Sequence, residues 1–269
     1  MASRVFMERE GVRLAGLEFG GAGPSVLLLH GLAGYAGEWG ETASSLTERW
    51  RVLALDARGH GESEREPADV SVAARVADVV FAVEELALAP VVLVGQSLGG
   101  ITAMLVAAER PDLVRGLVLA DTSPAADDDA AVERVAGWLR GWPVPFPSRE
   151  AAIEFFGAEA WADGLERRED GLRPRFEVDV LERTLRETAG RSFWREWESI
   201  ACPTLVVRAG KGMVPSPEAR AMADRLPGAE LVEIPGAGHD LHLDSPAEWR
   251  AAVTAFLVSL PSGTPAAPA

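Results

Sequence analysis

The chain is 269 residues long and 48% apolar, and its 26 basic against 41 acidic residues leave a formal net charge of −15. That length suits one large α/β domain, or a core with an insertion, and the acidic balance argues against nucleic acid or an anionic membrane as partner, since both require a basic surface. Cys202 is the single cysteine, so no internal disulfide can form.

Met1 to Glu8 contains no long apolar segment of signal-peptide type. No apolar run is long enough to span a bilayer, and a cytoplasmic protein is expected. Short β-rich runs then alternate with helical stretches. Val12–Phe19 alternates and ends at Gly20-Gly21. Ser25–Leu29 and Arg51–Leu55 are continuous apolar strands, followed by a helix over Ser71–Leu88. Val91–Val94 is a further strand, Ser97–Glu109 a buried helix, and Gly116–Ala120 another strand. Beyond Thr122 the rhythm breaks until Pro203. No strand is evident there, only helical pieces over Asp127–Leu139, Ser148–Phe156, Phe176–Ala189 and Ser192–Ser199. A structureless loop of that length is improbable in a compact domain, so the segment reads as an inserted helical cap. Strands Thr204–Val207 and Glu230–Ile234 follow, with helices Ser216–Leu226 and Pro246–Leu260. Ser216 reads as the cap of the first of these helices, with Pro217 in its first turn.

Continuous apolar strands separated by helices imply a mainly parallel sheet covered on both faces. The expected organisation is an α/β core over 1–122 and 204–260, a helical cap over 123–203 and a disordered tail over 261–269. The cap holds Trp138, Trp142, Trp161, Trp194 and Trp197. Most of these rings should pack the cap; Trp138, Trp142, Phe155 and Trp194 are the candidates to face a substrate cleft.

Gly95-Gln96-Ser97-Leu98-Gly99 lies directly between a strand and a helix. A serine between two glycines on such a turn is how a nucleophilic hydroxyl is exposed. A serine hydroxyl needs a base, and the base needs an orienting carboxylate. Of the four histidines, His239 is the candidate base. It sits in a glycine-flexed loop after the last strand, where chemistry collects in open α/β sheets. His30 and His60 read as turn-shaping residues. His242 has no carboxylate or cysteine cluster near it in sequence that would complete a metal site, and no cofactor is expected.

These residues resemble the α/β-hydrolase superfamily from Val12 to about Leu260. The resemblance is carried by His30-Gly31-Leu32, Asp56-Ala57-Arg58-Gly59-His60-Gly61-Glu62-Ser63, the Gly95–Gly99 elbow and Gly238-His239. It implies an acid between nucleophile and base in chain order. In most relatives the acid follows the strand that here is Thr204–Val207. That place falls near Gly212 or Met213, which carry no carboxylate. Some relatives, including a haloalkane dehalogenase group and fungal lactone hydrolases similar to zearalenone hydrolase, carry it after the preceding strand. Asp121 stands there. Aspartate also commonly caps a turn such as that into Pro124, and Asp240 and Asp244 are the other candidates.

The backbone N–H groups of Leu98 and Leu32 are the expected oxyanion hole. Haloalkane dehalogenases and epoxide hydrolases of this fold use aspartate at the Ser97 position, because serine attacking an alkyl carbon would leave a stable ether. Ser97 should therefore attack a carbonyl. The resemblance implies a small-molecule ester or lactone with an apolar or aryl-bearing acyl part. Carbon–carbon hydrolases and cofactor-free perhydrolases share the triad. A triad-bearing receptor for a small ligand is the alternative of another class. Oligomeric state stays open.

Overall fold

The computed structural model describes residues 2–126 and 128–261, so the tail expected at 261–269 lies, beyond Pro261, outside the described residues. The strands are β1 (Ser3–Arg9), β2 (Val12–Gly20), β3 (Ser25–Leu29), β4 (Arg51–Asp56), β5 (Val91–Gln96), β6 (Val114–Ala120), β7 (Glu166–Arg168), β8 (Gly171–Arg173), β9 (Thr204–Ala209) and β10 (Ala229–Ile234). Eight of them form one sheet in the order β1-β2-β4-β3-β5-β6-β9-β10. Among the described residues of this sheet, only the pairings of β2 with β1 and with β4 are antiparallel; its other ladders are parallel.

The continuous apolar runs alternate between two cores, because successive strand side chains point to opposite faces. Leu27, Leu29, Leu53, Leu55, Leu93 and Leu117 belong to one cluster. Their neighbours Val26, Leu28, Val52, Ala54, Val92 and Val118 belong to the other. Helices α2 (Val72–Glu85) and α3 (Ser97–Glu109) contribute Val76, Val79, Met104 and Val106 to the first cluster. Residues of α1 (Gly40–Leu46) and of a later helix over Pro246–Ser259, among them Leu46, Trp249, Val253 and Phe256, close the second. Among the described residues no helix is long and apolar enough to cross a membrane.

Between β6 and β9 run α4 (Asp129–Arg140), α5 (Arg149–Phe156), α6 (Glu159–Asp163), the β7–β8 hairpin, α7 (Val178–Arg186) and α8 (Trp194–Glu198). Leu139, Trp142, Phe146, Leu172, Phe176 and Leu181 give this segment an apolar cluster of its own, against which Leu32 and Ala33 also pack. The hairpin departs from the strand-free reading. Its Glu166-Arg167-Arg168 strand carries no apolar pattern, and it is held by pairing with β8 and by a bridge from Phe146 to Leu172. Helix α8 departs as well. Phe193 and Trp197 belong to the α2–α3 core, and Trp197 Nε1 donates to the Met222 carbonyl at 3.0 Å. That end of the segment flanks the sheet. After β9 come α9 (Ser216–Arg225), α10 (Leu241–Asp244) and α11 (Pro246–Ser259). Pro215, not Ser216, occupies the cap of α9, and Ser216 is its first helical residue.

Candidate active site

Ser97 is the first residue of α3, and its φ of 48° is left-handed. A non-glycine residue held there costs on the order of 1–3 kcal/mol and persists only where its surroundings over-determine it. The surroundings are two glycines. A Cβ on Gly95 would strike the Gly99 carbonyl, and one on Gly99 would strike the carbonyl oxygens of Leu29 and His30. Strand, turn and helix can therefore close only around bare backbone. The loop after β3 is equally close, since a side chain on Gly31 would come within 3.2 Å of the Ser97 Cβ.

Asp121 follows the end of β6, also with a left-handed φ, 43°. Its side chain is fully buried. Oδ1 accepts the Ala209 N–H at 3.1 Å, and Oδ2 accepts the Met213 N–H at 2.7 Å and the His239 Nδ1–H at 2.7 Å. Gly212 completes the fit, because a Cβ there would fall on the Asp121 carboxylate. The loop after β9 has no acid at this place. It supplies two amides and the empty volume that an acid from the neighbouring strand fills.

Burial alone would lower the His239 pKa, but the hydrogen bond to Asp121 and the charges of Asp240, Asp121 and Asp244 outweigh it, and the imidazole ends above its ordinary 6.5. Burial is also the main cause that raises the Asp240 carboxyl, against the lowering pull of His239 and His242. Asp240 Oδ1 accepts from Gln96 Nε2 at 3.2 Å. Asp244 lies against Gly238, where a Cβ would meet its Oδ2 at 2.6 Å. Neither carboxylate hydrogen-bonds the imidazole ring.

Two ties hold the serine loop to the acid and the histidine. Thr122 Oγ1, next to Asp121, donates to the Ser97 carbonyl at 3.0 Å. Gln96 Nε2, next to Ser97, donates to the His239 carbonyl at 3.3 Å. Both are missed by sequence reasoning, and the only signal is adjacency to a candidate residue. Among the described residues the Ser97 hydroxyl itself makes no hydrogen bond. The Leu98 N–H lies in the first turn of α3, where amides have no intrahelical partner. The Leu32 N–H has no hydrogen-bond partner among the described residues.

The remaining histidines are structural. His30 Nδ1 donates to the Gly31 carbonyl at 2.7 Å and Nε2 accepts the Ala57 N–H at 3.0 Å. His60 is buried, and burial pushes its pKa down to about 3. Its Nδ1 donates to the Arg58 carbonyl at 3.1 Å, and its Nε2 accepts the Ala33 N–H at 3.2 Å. A neutral His60 thus anchors the residue next to Leu32. His242 bonds Glu38 at 3.1 Å. Among the described residues no group of three or more His, Cys, Asp or Glu side chains could hold a metal ion.

The four aromatic candidates separate. Trp142 lines a pocket together with Gly34, Tyr35, Trp161, Phe176 and Leu243. Trp138 stacks edge-on against Trp142 and Trp161 and is 42% exposed. Phe155 packs on Phe146 and Phe156 and is equally exposed. Trp194, on α8, packs against the α2–α3 core, with the Arg225 guanidinium 4.3 Å from its ring, and it does not line this pocket.

Comparison with known proteins agrees with this geometry. Residues 24–246 match the family described as the alpha/beta hydrolase fold. The chain is 34% identical to a pimeloyl-(acyl-carrier protein) methyl ester esterase of Chromobacterium violaceum, over 81% of this chain and 88% of that protein. It is 31% identical to the sn-1-specific diacylglycerol lipase ABHD11 of Mus musculus, over 87% and 81% of the two chains. A solved structure of E-2-(acetamidomethylene)succinate hydrolase matches with a TM-score of 0.89 at 23% identity, covering 96% of this chain and 100% of that one. At that identity the likeness speaks for the fold alone. With its sheet order, its strand–serine–helix turn and the family match over most of its length, the chain belongs to the α/β-hydrolase fold family.

Proposed function

We propose that this hydrolase cleaves a carboxylic ester or lactone through an acyl-enzyme on Ser97, with His239 as general base and Asp121 as its orienting acid. The observation that carries the reading is the 2.7 Å bond from His239 Nδ1 to a fully buried Asp121. It commits the proton to Nδ1 and leaves Nε2 to take the serine proton. Ser97 Oγ adds to the acyl carbon, and the oxyanion forms toward the N–H groups of Leu98 and Leu32. His239 then returns the proton to the departing alkoxide, and water repeats the sequence on the acyl-enzyme. Each amide stabilises the oxyanion by about 3 kcal/mol, by analogy with donors removed elsewhere.

Esters and lactones rank first because an alkoxide leaves with less help than an amine. The named activities of the relatives, a methyl ester esterase and a diacylglycerol lipase, support an ester. The segment after Thr122 acts as a cap up to α8, and Trp142, in the lining of the aromatic pocket, is the cap residue best placed for an apolar or aryl group. Trp138 and Phe155 support it from outside.

The test is hydrolysis of p-nitrophenyl butyrate by the wild type and by Ser97→Ala. The variant should keep the wild-type circular dichroism spectrum and lose turnover. Unchanged kinetics in the variant would overturn the reading.

A further inference from the structure

The loop that carries the Leu32 N–H and the loop that carries His239 are separate segments of chain. The first, over residues 30–39, ends in a 3-10 turn, Ala36–Trp39. The second, over residues 236–244, runs into α10. Among the described residues a single hydrogen bond joins the two: His242 Nε2 donates to Glu38 Oε1 at 3.1 Å. His242 is buried and Glu38 nearly so. The imidazole also stacks on Trp39, with ring centroids 4.2 Å apart.

Each partner carries the contact into its own loop. Glu38 Oε2 accepts the Tyr35 N–H at 3.1 Å. The same carboxylate lies so close to Gly34 that a Cβ there would meet Oε2 at 2.6 Å. The Gly34 N–H donates to the Gly31 carbonyl at 3.1 Å and closes a turn around Leu32. On the other side, the Leu243 and Asp244 amides donate to the Asp240 carbonyl at 2.7 Å and 2.9 Å. His242 therefore sits in a tight turn whose first residue follows His239.

For stability alone the pair is a poor choice. His242 Nδ1 is buried without a partner among the described residues, and an unmet buried polar atom costs free energy. A buried charged pair is often no more stabilising than an apolar pair of the same volume, and its best-attested use is to fix one register. Register matters at this place, because an oxyanion donor works only when aimed at the developing charge.

We propose that the His242–Glu38 bond holds the Leu32 N–H in register with His239, which makes His242 and Glu38 positioning residues for the reaction. The proposal rests on the ester reading for the roles of Leu32 and His239. The tie between the loops stands on the contacts alone.

Hydrogen exchange and kinetics on three proteins test it: wild type, His242→Phe, which keeps a ring on Trp39 and loses the bond, and His242→Gln, whose amide can still donate to Glu38. In His242→Phe the peptide 31–38 should exchange about tenfold faster, the weight of one net hydrogen bond. Its kcat for p-nitrophenyl butyrate should fall about 10- to 10²-fold with KM unchanged, because a misplaced oxyanion donor is felt in the transition state. His242→Gln should restore most of both. A ring that only packs the core predicts the opposite order, with Phe tolerated better than Gln. That order would overturn the proposal, as would unchanged exchange or wild-type kcat in His242→Phe. Should His242→Phe fail to melt cooperatively, His242→Asn, too short to reach Glu38, replaces it with the same expectations. Turnover that survives Ser97→Ala would sink the ester reading, while exchange, which needs no substrate, still decides whether the bond ties the loops.

Discussion

The loops that follow β6 and β9 stand side by side, and each supplies what the other lacks. The first contributes the charge: Asp121, in a left-handed backbone, turns its carboxylate toward His239. The second contributes no charge at the corresponding place, only the Ala209 and Met213 amides and the room that Gly212 leaves. On the proposed mechanism, the orienting acid is defined by where its oxygen sits against the imidazole, and here the β6 end delivers that oxygen while the β9 loop holds it.

Substitutions on either side of this pair should have effects of very different size. Asp121→Asn should lower kcat by about 10³–10⁴, because an amide can donate to Nδ1 and favour the wrong tautomer. A loss below tenfold would move the orienting role to Asp240 or Asp244. Gly212→Ala pushes a methyl into the carboxylate and should cost about 10²-fold in kcat/KM, as ångström-scale misplacements do. Wild-type kcat/KM in Gly212→Ala would mean that the two loops are not sterically matched. Thr122→Val removes one tie between the loops and should cost stability about 1 kcal/mol, a typical net hydrogen bond, read from denaturant midpoints. An unchanged midpoint would deny the tie any weight.

The same comparison predicts a pH dependence. Only neutral His239 can accept the serine proton, so kcat/KM should rise with pH through an apparent pKa above the ordinary 6.5. In Asp121→Asn the opposing effect of burial is less compensated, and the residual activity should titrate at lower pH. An apparent pKa below 6.5 in the wild type, or one that does not move in Asp121→Asn, would contradict this assignment of charges.

Much of the fold is legible in the sequence because parallel strands buried on both faces read as unbroken apolar runs, as Ser25–Leu29 and Val91–Val94 do. Strand β1 is not, since it is an edge strand on which Arg4, Phe6 and Glu8 are exposed and only Met7 is buried. The β7–β8 hairpin is hidden for a similar reason. In the site, Ser97 and His239 are marked by local glycines. Asp121 emerges only through the neutral residues at the place of the usual acid. The ties made by Thr122 and Gln96 carry no local mark. Gln96 meets the His239 loop 143 residues away, and only the folded chain brings such pairs together. The position of Trp194 is likewise hidden, because its membership of an aromatic-rich segment does not show that α8 packs against the α2–α3 core.

The most direct measurement is to quench wild type and Ser97→Ala during turnover of a slowly deacylated p-nitrophenyl ester and to map the acyl group by peptide mass spectrometry. The wild type should carry the acyl group on the peptide that contains Ser97, with none on the variant. An acyl group on any other residue, or turnover with no covalent intermediate at all, would contradict the nucleophile on which the chemistry depends.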